Sequence, residues 1–369
     1  MASNYFGNIY RWTTFGESHG DSIGVVIDGI PSGIKMSLEV IQEDLNKRKP
    51  SFNFYNSTNF NNLPNSNSLF NSNNSSISPH STRDEDNDFQ IISGLSNEYT
   101  IGSPITIVIK NRDVKNKDYE NIKNMFRPSH SDYTYYKKYN ILENYGGGRS
   151  SGRETACRVL AGSIAKQILL KYIEDLSVVA GVISIGDIKI DKWDNDNVYN
   201  NPIRTPDTNA VDKMLELIEK IKNDEDSIGG VIECHIKNIP AGIGEPIYDK
   251  LDSTLSYAIM GIGGVKGIEF GLGFESSKMR GSIYNKIRDA NGGIDGGISN
   301  GKDILFRVSI KPTPSIKKEQ TIISNDNELN TISIEGRHDI CIAPRVVPVI
   351  ESISYAVLLD LFLMNKALK

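Results

Sequence analysis

Cysteine and histidine are both scarce in this sequence, which has 3 cysteines and 5 histidines among 369 residues. Cys157, Cys234 and Cys341 lie far apart in the chain and lack the short spacing of metal ligands. An odd number of scattered cysteines argues against a disulfide scaffold and against a metal site, and it favours a reducing compartment. The sequence also lacks a Ser-His-Asp signature and a cysteine-nucleophile motif, which disfavours covalent catalysis of those kinds.

Long apolar runs and an excess of basic charge are missing as well. The longest apolar stretch, Val346 to Met364, is interrupted by a proline and two acidic residues, so it predicts a buried helix and no membrane span. The first residues contain neither an apolar signal core nor an Arg-rich presequence, so we expect a cytoplasmic protein. A net charge of -5 disfavours a general nucleic-acid surface.

Short strand-like segments do not alternate regularly with helical ones, which favours an α+β fold over a doubly wound parallel sheet. The predicted strands lie near Ser22–Ile27, Thr106–Ile109, Val178–Ile185, Gly229–Ile236 and Asp303–Ile310, and long helices are expected after Ser151 and Pro348.

Two polar segments interrupt this pattern. Phe52 to Ser81 is rich in Asn and Ser and shows no hydrophobic period, so we predict a disordered low-complexity insert in a surface loop. Asp191 to Asp207 is interpreted as an ordinary loop.

Two segments of the chain resemble each other weakly. Val25 to Ile34 and Cys234 to Ile243 both predict a strand followed by an Ile-Pro-small-Gly-Ile turn. Amphipathic stretches that predict helices follow, at Leu38 to Leu45 and at Ile247 to Ile259. The pattern is typical of two related halves packed around one core, although chance similarity would produce it too.

A glycine-rich run, Tyr145 to Thr155, has the features of an anion site. Its three consecutive glycines let backbone N–H groups converge, and Ser151 and Glu154 have capping-box spacing, which predicts the start of a helix. The helix N-terminus adds partial positive charge, and Arg149 and Arg153 add full charges suited to phosphate or carboxylate. The alternative is a glycine turn in front of an ordinary capped helix.

Two further loops contain a histidine in an open turn. In Gly16 to Gly20, His19 lies just before a predicted strand, where it could transfer protons near neutral pH or could simply be a surface histidine. In Phe126 to Asp132, Arg127 and His130 could bind one anion together, or His130 and the aspartate could merely cap the turn.

Several other segments add basic or flexible groups. Lys311 to Ser315 is a phosphate-type loop after a strand, and Gly292 to Gly301 is flexible backbone that hairpin turns would also explain. Gly336 to Asp339 could be a simple salt bridge, and Lys47 to Lys49 could be a solvated helix end. Together, these loops suit a set of ligands with several phosphates and carboxylates.

These motifs resemble those of the chorismate synthase family. The three signature regions of the family correspond to Gly16–Gly20, Gly146–Thr155 and Arg337–Asp339 with its following helix, and 127–130 and 311–315 match two further loops. The resemblance covers nearly the whole chain apart from the insert. It implies one domain over residues 1–369, a β-α-β sandwich with helices between two antiparallel sheets, assembled as a homotetramer.

The resemblance also implies an activity, the 1,4-anti elimination of phosphate from 5-enolpyruvylshikimate-3-phosphate to give chorismate, the last step of the shikimate pathway. The family requires reduced FMN, although the reaction has no net redox change. NADPH could reduce the flavin on the protein itself, or a separate flavin reductase could supply it. The sequence has no separate dinucleotide fingerprint, which favours the reductase.

Site residues follow from the same resemblance. His130 would protonate or polarise the departing phosphate, His19 would stabilise the reduced flavin by proton donation, and Asp339 would assist proton removal from the ring, relayed through the flavin. The substrate-binding residues would be Ser18, Arg48, Arg127, Arg153 and Arg337. The cofactor-binding residues would be Arg149, Ser150, Ser151, Gly263, Gly264, Gly296, Lys311, Pro312, Thr313, Pro314, Ser315 and Arg337.

The chain departs from the family pattern at three places. Lys47-Arg48-Lys49-Pro50 replaces a run of arginines before proline, and a later arginine is replaced by Phe54 or displaced to Arg83. Gly263-Gly264 replaces an Asn-Ala pair. Lysine is a weaker bidentate clamp for carboxylate than arginine, so these replacements affect the expected substrate contacts near Arg48.

Two other functions are compatible with an anion site. A kinase or phosphotransferase would need a nucleotide loop, and the chain has no Gly-x-x-x-x-Gly-Lys-Ser/Thr motif. A flavin- or anion-binding module without catalysis would tolerate loss of His19, His130 and Asp339, whereas the enzyme would not.

Overall fold

The computed structural model of this chain describes residues 3–49, 87–112, 126–141, 147–323, 329–334 and 338–369. The predicted insert at 52–81 lies outside the described residues, as do Gly146 and Arg337.

The first sheet is built from strands whose apolar residues alternate, so that one face is buried. In its central strand Ile23, Val25 and Ile27 are buried. The sheet has the order β1-β2-β3-β7-β4 with every neighbouring pair antiparallel. Its strands are β1 (Tyr5–Phe6), β2 (Arg11–Gly16), β3 (Ser22–Asp28), β4 (Phe89–Ser93) and β7 (Ile105–Lys110), with the small hairpin β5 (Leu95–Ser96) and β6 (Tyr99–Thr100) between the last two.

The second sheet repeats this design. Its order is β11-β14-β10-β8-β9, again antiparallel throughout. Its strands are β8 (Ser177–Ile185), β9 (Ile188–Lys189), β10 (Gly230–Lys237), β11 (Val265–Phe270) and β14 (Ile304–Ile310). Two further hairpins pair β12 (Ile294–Asp295) with β13 (Ile298–Ser299) and β15 (Gln320–Ile323) with β16 (Leu329–Ile332). The five strands predicted from the sequence are confirmed.

Two long helices lie between the sheets. The helices are α1 (Leu38–Arg48), α2 (Asp132–Tyr139), α3 (Thr155–Leu169), α4 (Thr208–Asn223), α5 (Leu251–Met260), α6 (Gly281–Tyr284) and α7 (Ala343–Leu368). Helix α3 contacts β2 and β3 of the first sheet, and α7 contacts α3 as well as β8 and β10 of the second. One hydrophobic cluster contains buried residues of both sheets and both helices. The predicted α+β sandwich, with helices between antiparallel sheets, is therefore confirmed.

Helix α7 begins earlier than predicted, because Pro348 lies inside the helix and does not precede it. The helix is long and apolar enough to cross a bilayer, yet 83% of its most apolar window is buried inside the protein. The core helix of a soluble protein has the same properties. The three cysteines are also buried, and they are free thiols.

The two resembling segments occupy equivalent places. Strands β3 and β10 are each the middle strand of a five-stranded sheet, and each is followed by a helix. At matching positions of their turns, Gly29 and Asn238 have φ of 74° and 63°, and Gly33 and Gly242 have φ of 78° and 98°. The structure is consistent with two related halves. Their relatedness stays a prediction.

The segment 191–207 differs from the predicted ordinary loop. A 3-10 helix, Asn195–Asn200, opens it, and several of its polar residues are buried where a surface loop would expose them. Asn201 explains part of this burial, since its side chain accepts hydrogen bonds from the backbone N–H groups of Ile203 and Thr205. Two of its charged residues, Arg204 and Asp207, are fully buried.

Helices α3 and α7 are in close contact at Gly162, where a Cβ atom would overlap the backbone carbonyl of Ser352. Gly162→Ala should therefore lower the free energy of unfolding by about 1–3 kcal/mol through overpacking, despite the better helix propensity of alanine. Gly281→Ala, in a short helix with open space around the new methyl group, is the matched control. Urea unfolding of both variants is the measurement, and equal midpoints would contradict this account of the helix contact.

Candidate active site

The glycine-rich loop forms two 3-10 turns, Gly148–Ser150 and Gly152–Glu154, immediately before α3. Gly147 has φ of 81°, and a Cβ atom there would lie 3.1 Å from His130 Cε1 and 3.4 Å from Arg127 Nη2. Glycine is therefore needed for both the backbone conformation and the close approach of two predicted site segments. The structure brings His130 and Arg127 to the start of α3.

Of the two side chains in the predicted capping box, Ser151 caps the helix start and Glu154 does not. Ser151 does cap the second turn, because its Oγ accepts a hydrogen bond from the backbone N–H of Arg153. The Glu154 carboxylate instead accepts from Thr14 Oγ1 at 2.9 Å and from Arg158 Nε at 2.9 Å. A partner on the neighbouring strand β2 has replaced the local capping bond, and Glu154 ties the loop to the first sheet.

The turn that carries His19 lies against the same loop. Ser18 Oγ is 3.0 Å from His19 Nδ1, and the backbone N–H of Ser18 donates to the carbonyl of Gly148. Arg149 reinforces this contact, since its guanidinium donates to the Gly16 carbonyl and to Thr14 Oγ1. The position of the His19 turn is therefore fixed by the glycine loop, and direct contact of Arg149 with a cofactor stays a prediction.

Asp132 organises the segment of Arg127 and His130. Its carboxylate accepts two hydrogen bonds from the Arg127 guanidinium, at 2.7 and 2.8 Å, and lies 2.6 Å from His130 Nδ1. Burial alone would raise the pKa of Asp132, but the hydrogen bonds and charges of Arg127 and His130 hold it well below its ordinary value. An ionised carboxylate thus orients both predicted ligand-binding groups.

Arg48 and Arg153 are both buried beside the start of α3. Arg48 Nε donates to Thr155 Oγ1 at 2.8 Å, and its Nη2 donates to the Gly152 carbonyl at 2.7 Å. This placement shows that Lys47 to Lys49 is not merely a solvated helix end.

Arg153 is held by two asparagines that the sequence reading missed. Its guanidinium donates to Asn87 Oδ1 at 2.6 Å and to Asn111 Oδ1 at 3.2 Å. Asn111 also donates to the carbonyls of Glu17 and Gly20, which fixes the His19 turn. These asparagines stand beyond the paired ends of β4 and β7, so only knowledge of the strand register could have found them.

The loop after β14 completes the group from the second sheet. Lys311 Nζ donates to the Ser129 carbonyl at 2.6 Å, and its backbone N–H donates to the Gly264 carbonyl at 2.9 Å. Burial and the nearby charge of Lys266 lower the pKa of Lys311. Gly263 lies next to the carbonyl of Ser150, with 3.8 Å between that oxygen and the Cβ position of the glycine.

Asp339 lies on a segment held beside the Lys311–Ser315 loop. Two neighbouring residues make the link, because Ser227 Oγ donates to the Thr313 carbonyl and the Ile228 N–H donates to the Ile340 carbonyl. Asp339 itself pairs with Arg345, whose Nη1 is 2.8 Å from Oδ2. The site is thus assembled from both halves of the chain.

Gly296 is placed differently from the other predicted cofactor residues. It has φ of 61° in the turn between β12 and β13. The neighbouring Gly297 carbonyl accepts from the backbone N–H of Leu251, at the start of α5. Among the described contacts of this turn, none joins Gly296 to the loops above.

The residues present fit a phosphorylated flavin. Thr313 Oγ1 is buried and has no hydrogen-bond partner among the described residues, so a ligand could satisfy it. Gly263 leaves exposed backbone without a side chain, and Lys311 supplies a positive charge. Donors of this kind suit a phosphate and a polar ring edge.

Comparison with known proteins agrees with this chemistry. The sequence profile of the family described as "Chorismate synthase" matches residues 10–62 and 70–363, with a gap that lies inside the Asn/Ser-rich insert. The chain is 44% identical to a chorismate synthase of Christiangramia forsetii over the full length of both proteins. It is 42% identical to that of Flavobacterium psychrophilum, covering 99% of each chain, and 40% identical to that of Synechocystis, covering 99% and 98%.

A solved structure has the same fold. The structure described as "Crystal Structure of Chorismate Synthase" superposes with a TM-score of 0.72 at 24% sequence identity, covering 97% of this chain and 93% of the other. Sequence identity over the full length and the matched family profile lead to one conclusion. This chain belongs to the chorismate synthase family.

Proposed function

We propose that the loops around Ser18, His130, Gly147, Lys311 and Asp339 form the active site for the chorismate synthase reaction of this chain. That reaction eliminates phosphate from 5-enolpyruvylshikimate-3-phosphate and yields chorismate, and the family requires reduced FMN without net redox change. The main observation behind the proposal is that the Asp132 carboxylate binds both Arg127 and His130 and so holds them near the start of α3.

The leaving phosphate is the first charge that the site must stabilise. His130 and Arg127 would bind it together, because the Asp132 carboxylate holds both side chains by hydrogen bonds. His130 protonates or polarises the departing oxygen. The N-terminus of α3 adds partial positive charge at the same place. Preorganised charges of this kind lower the barrier most when the site excludes water.

The substrate carboxylates need further cations. Arg48 and Arg153 are candidates, since both are buried at the start of α3 and presented by fixed hydrogen bonds. Ser18 adds a hydroxyl beside His19. Arg337 is proposed from the family motif alone and lies outside the described residues.

Proton removal from the ring is assigned to Asp339. Its ion pair with Arg345 orients the carboxylate. His19 would donate a proton or a hydrogen bond to the cofactor. Reduced FMN, when bound, supplies the transient electron density that the elimination needs. Arg149, Ser150, Ser151, Gly263, Gly264, Gly296 and the Lys311–Ser315 loop are proposed to hold it.

The organisation of the protein is also part of the proposal. One hydrophobic cluster spans both sheets, which supports a single domain over residues 1–369. From the family resemblance, we propose that the chain assembles as a homotetramer. We also propose a cytoplasmic location and reduction of the flavin by a separate reductase, with NADPH reduction on the protein as the alternative.

Variants of the two assigned proton-transfer residues test the proposal. His130→Ala and Asp339→Asn should fold and bind FMN normally but lose about 10²–10⁴-fold in turnover, because each removes one acid–base group. His235→Ala is the control, since that histidine lies on the second sheet, stacked on Trp193 and bonded to Glu233. Phosphate release measures turnover, and normal turnover in either site variant would refute its assigned role.

Acid titration tests the Asp132 cluster separately. The folded-state pKa of Asp132 is lowered, so its ionised form stabilises the protein above the ordinary pKa of about 4, and this stabilisation is lost as the pH falls toward the lowered value. Asp132→Asn should therefore cost about 1–3 kcal/mol at neutral pH and show a smaller further loss on acidification.

Exposed Asp212 on α4 provides the matched control, and Asp212→Asn should leave the free energy of unfolding at neutral pH unchanged. The measurement is the free energy of unfolding in urea between neutral pH and about pH 3. Parallel curves for the unchanged protein and Asp132→Asn would show that Asp132 is not selectively stabilised in its ionised form.

A further inference from the structure

A charged residue outside the site described above is fully buried between α1 and α7. Arg204 has no exposed surface and sits at φ of 57°, a left-handed conformation that is costly for a side chain of this size. Burial of an arginine is also unfavourable unless its N–H groups are bonded. Burying Arg204 therefore costs folding free energy, and its hydrogen bonds indicate what the protein gains from it.

One contact of Arg204 supplies a hydrogen-bond donor that is missing within α7. Pro348 lies inside this helix and has no N–H group, so the carbonyl of Pro344, four residues earlier, lacks its helical donor. Arg204 Nη1 donates to that carbonyl at 2.6 Å. The side chain thereby fixes the first turn of α7, which contains Arg345, the partner of Asp339.

The second contact is at the end of α1. Arg204 Nη2 donates to the carbonyl of Lys47, one of the last carbonyls of that helix, which have no partner within it. A positive charge at a helix C-terminus is also favourable for the helix dipole. The residue that follows Lys47 is Arg48, whose guanidinium reaches the start of α3.

The surroundings keep the guanidinium in this orientation. Its carbon lies 5.5 Å from the centre of the Tyr199 ring, and Tyr199 donates to Glu351 Oε2 at 2.5 Å. Burial, together with the charges of Arg345 and Arg48, lowers the pKa of Arg204 to about 10, against the raising effect of Tyr199 and Glu351. Both site arginines are thus electrostatic neighbours of Arg204.

We infer that Arg204 is a positioning residue that joins the end of α1 to the start of α7 and so holds Arg48 in its substrate-binding position. The inference rests on the proposed role of Arg48 in binding the substrate. Because the planar fork of arginine spans two carbonyls, a lysine at this position keeps the charge but cannot make both bonds.

The test uses the full enzyme with reduced FMN. Arg204→Lys should raise the KM for 5-enolpyruvylshikimate-3-phosphate about tenfold, with FMN affinity unchanged. Arg48→Ala should also raise KM, and the double variant Arg48→Ala/Arg204→Lys should match Arg48→Ala alone, because both act through one side chain. Tyr199→Phe is the control, since it removes the bond to Glu351 but leaves the two carbonyl contacts of Arg204.

A second variant separates positioning from stability. Pro348→Ala restores an N–H group for the Pro344 carbonyl, so Arg204→Lys/Pro348→Ala should recover thermal stability while KM remains high. Recovery of stability and KM together would overturn the inference, as would multiplied KM effects in the Arg48→Ala/Arg204→Lys pair. An unchanged KM in Arg48→Ala would overturn both the inference and the proposed role of Arg48. The turnover of His130→Ala tests the proposed function independently of Arg48.

Discussion

The contact between α3 and α7 is the constraint on which the site depends. Each of these helices begins at a loop that carries site residues, the glycine loop before α3 and the Asp339 segment before α7. Because Gly162 has no side chain, the backbones of the two helices are in direct contact there. Because each helix also packs on a different sheet, this single contact brings together loops that come from the two halves of the chain.

The charges of the side chains on these loops then determine which ligands the loops can bind. Arginines, histidines and a lysine converge, and the carboxylates among them are engaged by these cations or by neighbouring groups. Asp132 is the clearest case, because it orients an arginine and a histidine at once. A site built in this way stabilises the charge of a departing phosphate without reorganising during the reaction.

The sequence predicted the strands and the glycine loop, because alternating apolar residues and runs of glycine leave local signals. The sandwich architecture was expected only from the resemblance to the chorismate synthase family. The sequence could not predict the partners of buried polar groups, which depend on strand register and helix packing. Glu154 binds Thr14 across the chain and does not cap its helix, and Arg153 binds asparagines at the ends of two strands. The sequence predicted an ordinary loop for the segment that contains Arg204. The positioning role inferred for this arginine depends on Pro348, which is 144 positions later in the sequence.

The central claim is that this site eliminates phosphate from 5-enolpyruvylshikimate-3-phosphate with the help of reduced FMN. The most direct measurement is anaerobic phosphate release with chemically reduced FMN and, in parallel, with oxidised FMN. We expect release with the reduced flavin only, with chorismate as the product in equal amount. Absence of release in both conditions, or equal release with oxidised flavin, would contradict the account.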